Sequence, residues 1–442
     1  MNLALKEQMT QQSRRFLVVG ALVLAMLIPL AFVQGLVDER QSFYNTVFND
    51  ISAAWGQDQH VIGPLLVVPE IHRYQVEDKK GNLVWRAENR HRVHLPAELV
   101  IGSEVTHQTR QRAIYQVPVY QAQVSVSGKF QITDHSSELV EPLLADAQIV
   151  VGLAQPQAIS EMSDLKLLNQ SVSFAASTGH AWLGRGVNAK VTALADTTLP
   201  FQFTATLKGS KSFSLAPVGD ENRFQMQASW PHPSFSGMYL PNDYTIDEQG
   251  FEAHWSVHEL ARDLPKSWLV FGYEPTFDQA FASVSLFQPI TNYTVVDRGT
   301  KYGILFIGLT FLTFVCFEML TAIRFHYIQY AAVGAGLVLF YLTLLSLSEH
   351  LPFAASYVLA TTILTALISW YVWAMTHESK LTIWCSSVVL GLYSGLYVLL
   401  QLEDFSLLVG TGILLLGLFA LMYTTRHLTS QDDEEHVQAT HA

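Results

Sequence analysis

The stretch 297-DRGTKYGILFIGLTFLTFVCFEMLTAIRFHYIQYAAVGAGLVLFYLTLLSLSEH-350 decides how the chain is read. It leaves a polar, strand-rich region and becomes two apolar runs, residues 303–323 and 328–347, separated by a turn at Arg324, Phe325 and His326. A helix rises about 1.5 Å per residue, so about 20 residues cross a hydrocarbon core of roughly 30 Å. Each run is long enough to span. One acid, Glu318, lies inside the first run, and Ser348-Glu349-His350 close the second. Here a water-exposed domain meets a membrane bundle.

Working outward, half of the 442 residues are apolar and the mean hydropathy is +0.22. That is too oily for a soluble enzyme and too polar for a full-length transporter. The chain therefore divides into a membrane part and a water-exposed part of about 260 residues. A net charge of −12 argues against nucleic acid as a partner, since basic stripes are needed to displace counterions. Both cysteines, Cys316 and Cys385, fall in expected spans, so the exported region holds together without a disulfide.

Residues 1–15 are polar, with Lys6, Arg14 and Arg15 preceding an apolar run over residues 16–37. That run is longer than the h-region of a cleaved signal peptide and lacks a good cleavage site, so it reads as an uncleaved anchor helix. Residues 38–300 carry no spanning run. Their apolar pattern has period two, the mark of half-buried strands. Phe201, Phe203, Ala205 and Leu207 alternate with polar residues, and Gly209-Ser210 suggests a hairpin returning through Phe213 and Leu215. Phe224, Met226, Ala228 and Trp230 repeat the alternation. Residues 65–76 and 83–95 form a second expected hairpin, and strands are also expected over 113–130, 149–153, 172–176 and 282–287. Helix is expected only at residues 43–54, 136–145 and 258–263. Ile62-Gly63-Pro64 and Val68-Pro69 read as strand-edge punctuation.

Three further spans, residues 353–375, 381–400 and 405–424, complete a five-helix bundle over 301–425. An acidic tail follows at 426–442. The fold class is thus a membrane protein with an N-terminal anchor helix, a large, mainly-β, sandwich-like domain and a C-terminal five-helix bundle. Lys6, Arg14, Arg15, Arg324, Lys380 and Arg426 fall on one side of the six spans. The positive-inside rule then puts both termini in the cytoplasm and residues 38–300 in the periplasm.

Glu318 is the sharpest single residue, since a carboxylate at membrane depth is costly unless protonated, paired or facing a wet cavity. Gln329 and Tyr330 begin the next span at a similar depth and are candidate partners. A proton or ion relay and plain interhelical bonding both fit. Glu349 and His350 are candidates at the opposite end of that span. His254 and His258 would share a face of a helix, but Trp255 stands where a zincin motif needs Glu. As a strand, Phe251, Ala253, Trp255 and Val257 point inward and both histidines point to water. The string 229-SWPHPSFSG-237 is the most unusual in the exported region. Prolines flanking His232 stiffen an extended corner and offer Trp230 and Phe235 either as anchors for a partner or as a plug for the β core. No nucleophile elbow, phosphate loop, dinucleotide fingerprint or paired-cysteine site occurs, so neither an enzyme nor a cofactor is expected.

With these features assembled, the chain resembles the CreD family of bacterial inner-membrane proteins. The residues carrying the resemblance are Val61-Ile62-Gly63-Pro64-Leu65, the SWPHPSF string with Leu240-Pro241, and Gly250-Phe251 with Ala253-His254-Trp255. In the membrane part they are Asp297-Arg298, Lys301-Tyr302, Thr310-Phe311, Glu318, Gln329-Tyr330, Phe340-Tyr341-Leu342 and Ser348-Glu349-His350. The resemblance implies a role in cell-envelope integrity and a link to a two-component sensor and regulator pair. It brings no catalytic residue, ligand or cofactor. The leading expectation is a non-enzymatic envelope protein whose periplasmic domain binds an envelope component or protein partner. The alternative is a proton-coupled transporter or export component using Glu318.

Overall fold

A computed structural model describes residues 17–132, 135–168, 170–192, 197–271, 275–277, 280–286, 291–320, 324–402 and 405–425. The polar N-terminus (1–15), the acidic tail (426–442) and the cations expected there, Lys6, Arg14, Arg15 and Arg426, lie outside the described residues. The chain forms two compact units, one from Met1–Asn45 with Pro289–Ala442, the other from Thr46–Gln288.

The first unit is helical. Helix α1 (Leu17–Trp55) starts in it, and α2 (Asn292–Leu320), α3 (Tyr327–Ser348), α4 (Phe353–Thr376), α5 (Ser379–Gln401) and α6 (Ser406–Thr425) follow. Helices α1 to α5 are long and apolar enough to cross a membrane, and α6 is apolar with a shorter described run, Leu408–Phe419. Two expected boundaries move. The first helix continues past residue 37 to Trp55, absorbing the helix expected at 43–54. Helix α2 begins at Asn292 rather than near residue 303, so Asp297, Arg298 and Lys301 ride on its first turns instead of ending a strand region.

Those polar turns are helical because they find partners there. Lys301 Nζ lies 2.7 Å from Asp297 Oδ2, one turn away. The Gln34 amide donates to the other Asp297 oxygen and accepts from Thr300 Oγ1. Arg298 donates to the Leu400 carbonyl at 3.2 Å, and Arg40 lies 3.6 Å from Glu349. Helix α1 is therefore built into the bundle. Small residues admit it: a Cβ on Gly303 would stand 3.0 Å from Leu30, and one on Gly334 2.9 Å from Met26 Sδ.

The second unit is a pair of sheets, of ten and nine strands among the described residues, closed around one core. Its longer strands are β1 (Gln59–Glu77), β2 (Leu83–His94), β3 (Glu98–Arg112), β4 (Tyr115–Gln131), β5 (Gln148–Leu153) and β6 (Gly186–Lys190). They continue with β7 (Thr198–Gly209), β8 (Ser212–Leu215), β9 (Glu221–Ala228), β10 (Ser234–Gly237), β11 (Asp243–Asp247), β12 (Gly250–His258), β13 (Ser267–Leu269) and β14 (Ala282–Ser285). One sheet runs β6–β5–β1–β8–β14–β10, with β2 and β13 joined through β1. The other runs β11–β12–β9–β3–β4–β7 and on into short strands. Period-two alternation supplies the core: Leu199, Phe201, Phe203, Ala205 and Leu207 of β7 and Phe224, Met226 and Ala228 of β9 line the inner face of the nine-stranded sheet, all buried.

The β1–β2 hairpin pairs as expected, from Leu66 opposite His94 to Glu77 opposite Leu83. Gly209-Ser210 is not a hairpin. β7 pairs with β4 in one sheet, whereas β8 pairs parallel to β1 in the other, so the chain crosses between sheets here. Ser210 is fixed in that crossing by its amide on the Gln57 carbonyl and its hydroxyl on the Gly56 carbonyl. Phe213 and Leu215 still reach the core, from the opposite layer. Residues 136–145 form a bridge, a short strand and one 3-10 turn instead of a helix, and 258–263 hold only the 3-10 turn Glu259–Ala261. Gly63-Pro64 lies inside β1, near its start, where the register with β5 shifts between Ile62 and Leu65. A proline without an N–H is accommodated by that bulge, not by an edge. Strand β3 was not expected; its exposed half (residues 107–112) masks the alternation.

Candidate functional site

Glu318 sits near the end of α2, half-buried, and its carboxylate accepts the backbone N–H of Phe325 in the turn that leads into α3. Gln329 is occupied elsewhere. Its side-chain oxygen accepts the His326 N–H at 2.7 Å, while His326 Nδ1 accepts from Ile328 N, a capping box that starts α3. Tyr330 is buried among the rings of Phe311, Phe314 and Phe325, at 5.7–6.2 Å between centroids. Glu318 and Gln329 thus shape successive backbone positions of one turn. Glu349 approaches Arg40, and the His350 N–H closes the last turn of α3 on Leu347 O.

In the β unit, the SWPHPSF corner takes the second of its two expected forms, a plug for the β core. Trp230 is buried, its Nε1 donating to His232 O at 2.8 Å and its ring 4.9 Å from His107. His232 itself is exposed. Phe235, half-buried on β10, packs on Tyr244, Phe251 and Trp255 at 5.1, 5.6 and 6.0 Å between centroids. Both aromatic residues therefore complete the core. The apolar side chains offered to solvent lie just beyond them. Met238, Leu240, Tyr244 and Ile246 are 61, 64, 57 and 47 % exposed. Gly237 fixes where this segment departs: its φ is +89°, and a Cβ there would overlap the Phe281 carbonyl.

Tyr244 and Ile246 belong to β11, which ends its sheet and pairs only with β12 among the described strands. Because side chains alternate, the two faces of this edge differ. Tyr244 and Ile246 stand beside Ala253 and Phe251 on the core side. Asp243, Thr245 and Asp247 stand beside His254, Glu252 and Gly250 on the outer side. There a groove of about 330 Å³ runs inward past Thr245, Asp247, Glu252, Gln227 and Glu104. Asp247 Oδ1 holds the β11–β12 turn by accepting from Gln249 N and Gly250 N at 2.8 and 2.9 Å. Glu252 Oε1 accepts from Gln225 Nε2 at 2.8 Å and lies 3.2 Å from His254 Nε2. His254 and His258 are on strand β12, not a helix, with Phe251, Ala253, Trp255 and Val257 buried on its other face.

Of the residues singled out from the sequence, Trp230 and Phe235 lie inside this corner and His232 on its surface. Met238, Leu240 and Ile246 were missed, and only an apolar residue at every second place of DYTID, next to a proline-ended MYLP, hinted at them.

Nearly the whole chain is similar to known proteins. The family described as Inner membrane protein CreD matches residues 11–430. The chain belongs to the CreD family. Inner membrane protein CreD of Escherichia coli (strain K12) is 31% identical over 422 residues, covering 92% of this chain and 91% of that protein. CreD membership makes the chain an inner membrane protein, in keeping with its long apolar helices. The SWPHPSF corner and Glu318 both lie inside the matched range.

Proposed function

We propose that this CreD protein supports envelope integrity without catalysing a reaction, by binding an envelope component or protein partner through its β unit. The observation that carries the reading is the exposed quartet at one sheet edge: Tyr244 and Ile246 on the core side of β11, and Met238 and Leu240 in the segment that leads into it. Exposed apolar side chains gathered in one place, rimmed by charge, are the usual mark of a binding surface. The helical unit then serves as anchor. In this reading the β unit is periplasmic and both termini are cytoplasmic. The cations opposing that orientation, Arg40, Arg298 and Lys301, border the long β unit, and the positive-inside rule gives little weight to charges flanking a long domain. A two-component sensor and regulator pair would set when the protein is called on, as the resemblance implies.

The rival reading, proton-coupled transport through Glu318, asks for a carboxylate free to cycle its proton. Its tie to the Phe325 N–H instead suits a structural cap. A strain lacking the protein, complemented with full-length variants at matched membrane abundance and challenged with detergent, separates the two. Met238→Asp with Leu240→Asp is expected to abolish protection, and Glu318→Gln to keep it. The reverse pattern refutes the binding role and moves transport ahead.

A further inference from the structure

Resting on the binding role just proposed, the geometry points to the occupant of this corner: an extended polypeptide segment, alternating apolar and basic residues, that adds as a further strand to the free edge of β11. Three observations converge. Among the described strands the backbone of β11 has partners on one side only, so its outward N–H and C=O groups form a ready ladder for another strand. The core-side face of that edge is apolar, through Tyr244 and Ile246, with Met238 and Leu240 exposed in the segment between β10 and β11. The outer face is acidic, through Asp243, Asp247 and Glu252, with Glu248 in the adjoining turn.

An added strand would sit about 4.8 Å from β11 and send successive side chains to opposite faces. Its apolar residues would cover Tyr244 and Ile246. Its lysines or arginines on the other face would reach Asp243 and Asp247 directly and Glu252 one strand further in. Opposite-charge pairs across strands stabilise such a ladder, and like charges oppose it.

The same charges exclude the competing occupants. Pairing β11 antiparallel with β11 of a second copy, centred on Thr245, would set Asp243 of each chain against Asp247 of the other. A bilayer surface rich in anionic headgroups would meet four carboxylates within ten residues, Asp243, Asp247, Glu248 and Glu252, all of one sign. The acids thus guard the edge against self-association while admitting a cationic strand.

The test uses purified full-length protein in detergent and a fluorescein-labelled nine-residue peptide of alternating Lys and Val, read by anisotropy at low salt. Saturable binding is expected, with hydrogen exchange slowed at Tyr244 and Ile246. A Glu/Val peptide should not bind, and a Lys/Val peptide N-methylated at alternate residues should lose at least tenfold in affinity. Asp243→Lys with Glu248→Lys should cost tenfold or more, whereas Lys79→Glu, in a different hairpin, should cost less than twofold. Binding that ignores both N-methylation and the edge charges overturns strand addition, as does dimerisation through β11 seen by light scattering, or binding to anionic vesicles lost in Ile246→Asp. No peptide binding, with Met238→Asp/Leu240→Asp still failing to protect cells, overturns strand addition and leaves the binding role standing. Protection by that same variant overturns the binding role itself.

Discussion

The ring of Phe235 lies 5.1 Å from that of Tyr244, and this contact ties the proline-rich corner to the edge of the nine-stranded sheet. One residue is half-buried and holds the core together; the other is exposed and faces whatever approaches. The same cluster therefore sets both the stability of the β unit and the shape of its open edge.

The two roles separate on mutation. Phe235→Ala removes a ring packed on Tyr244, Phe251 and Trp255, and should destabilise the β unit by about 2–4 kcal/mol, toward the lower end because the site is half-buried. Met238→Ser and Leu240→Ser lie in solvent and should stay within about 0.5 kcal/mol of the parent. Thermal unfolding of the full-length protein, followed by tryptophan fluorescence, distinguishes these outcomes.

A buried charge cluster at the other sheet gives a second test. Glu70 is 1 % exposed, with Oε1 2.6 Å from Arg92 Nε and Oε2 2.8 Å from His72 Nε2. Glu70→Gln leaves a mostly buried guanidinium without its counter-charge, at an expected cost of about 3–5 kcal/mol. Lowered expression, or faster exchange across the β1–β2 ladder, would register it. Unchanged exchange would mean that Arg92 finds another partner.

His94, on β2, makes the β unit sensitive to acid. Burial, then the neighbouring His135 and Arg92, push its pKa down to about 4, against the opposing pull of Glu70. The folded state thus holds fewer protons on this group than the unfolded chain between pH 6.5 and 4. Its contribution is complete above pH 6.5 and is lost as the pH falls toward 4, by about 3 kcal/mol in total. His94→Gln should flatten that part of the stability curve, measured by hydrogen exchange of β1 and β2 from pH 7 to 4.

How much of this could be read from the sequence depended on how local each cause was. The hairpin of β1 and β2 was legible because two strand-forming runs flank a Lys-Gly-Asn turn within some thirty residues. The crossing at Gly209-Ser210 was not, because a hairpin and a change of sheet need the same turn residues; contacts with Gly56 and Gln57, some 150 residues away, decide between them. The early start of α2 was hidden for a similar reason. Asp297, Arg298 and Lys301 look like surface residues until Gln34 and Leu400 are placed beside them. At the candidate site, rarity drew attention to Trp230 and Phe235, yet rarity marks a residue as constrained, and both are constrained by the core.

Glu318 offers a prediction in the membrane part. A glutamine keeps an oxygen able to accept the Phe325 N–H, so Glu318→Gln should change bundle stability by less than about 1 kcal/mol and leave membrane abundance within twofold. Glu318→Leu removes the acceptor and should lower abundance clearly. Quantitative immunoblotting of washed membranes compares the two. Equal loss in both variants would show that the charge itself is needed.

Whether the exposed edge of the β unit meets a partner is read most plainly from contact in living cells. A photoreactive residue placed at Met238 should give, on irradiation under detergent stress, a discrete adduct of defined mass that disappears with Asp243→Lys/Glu248→Lys. The same residue at Leu139, exposed elsewhere on the β unit, should give none. Identical adducts at both positions, or none at Met238 with the protein abundant and protective, would contradict the account.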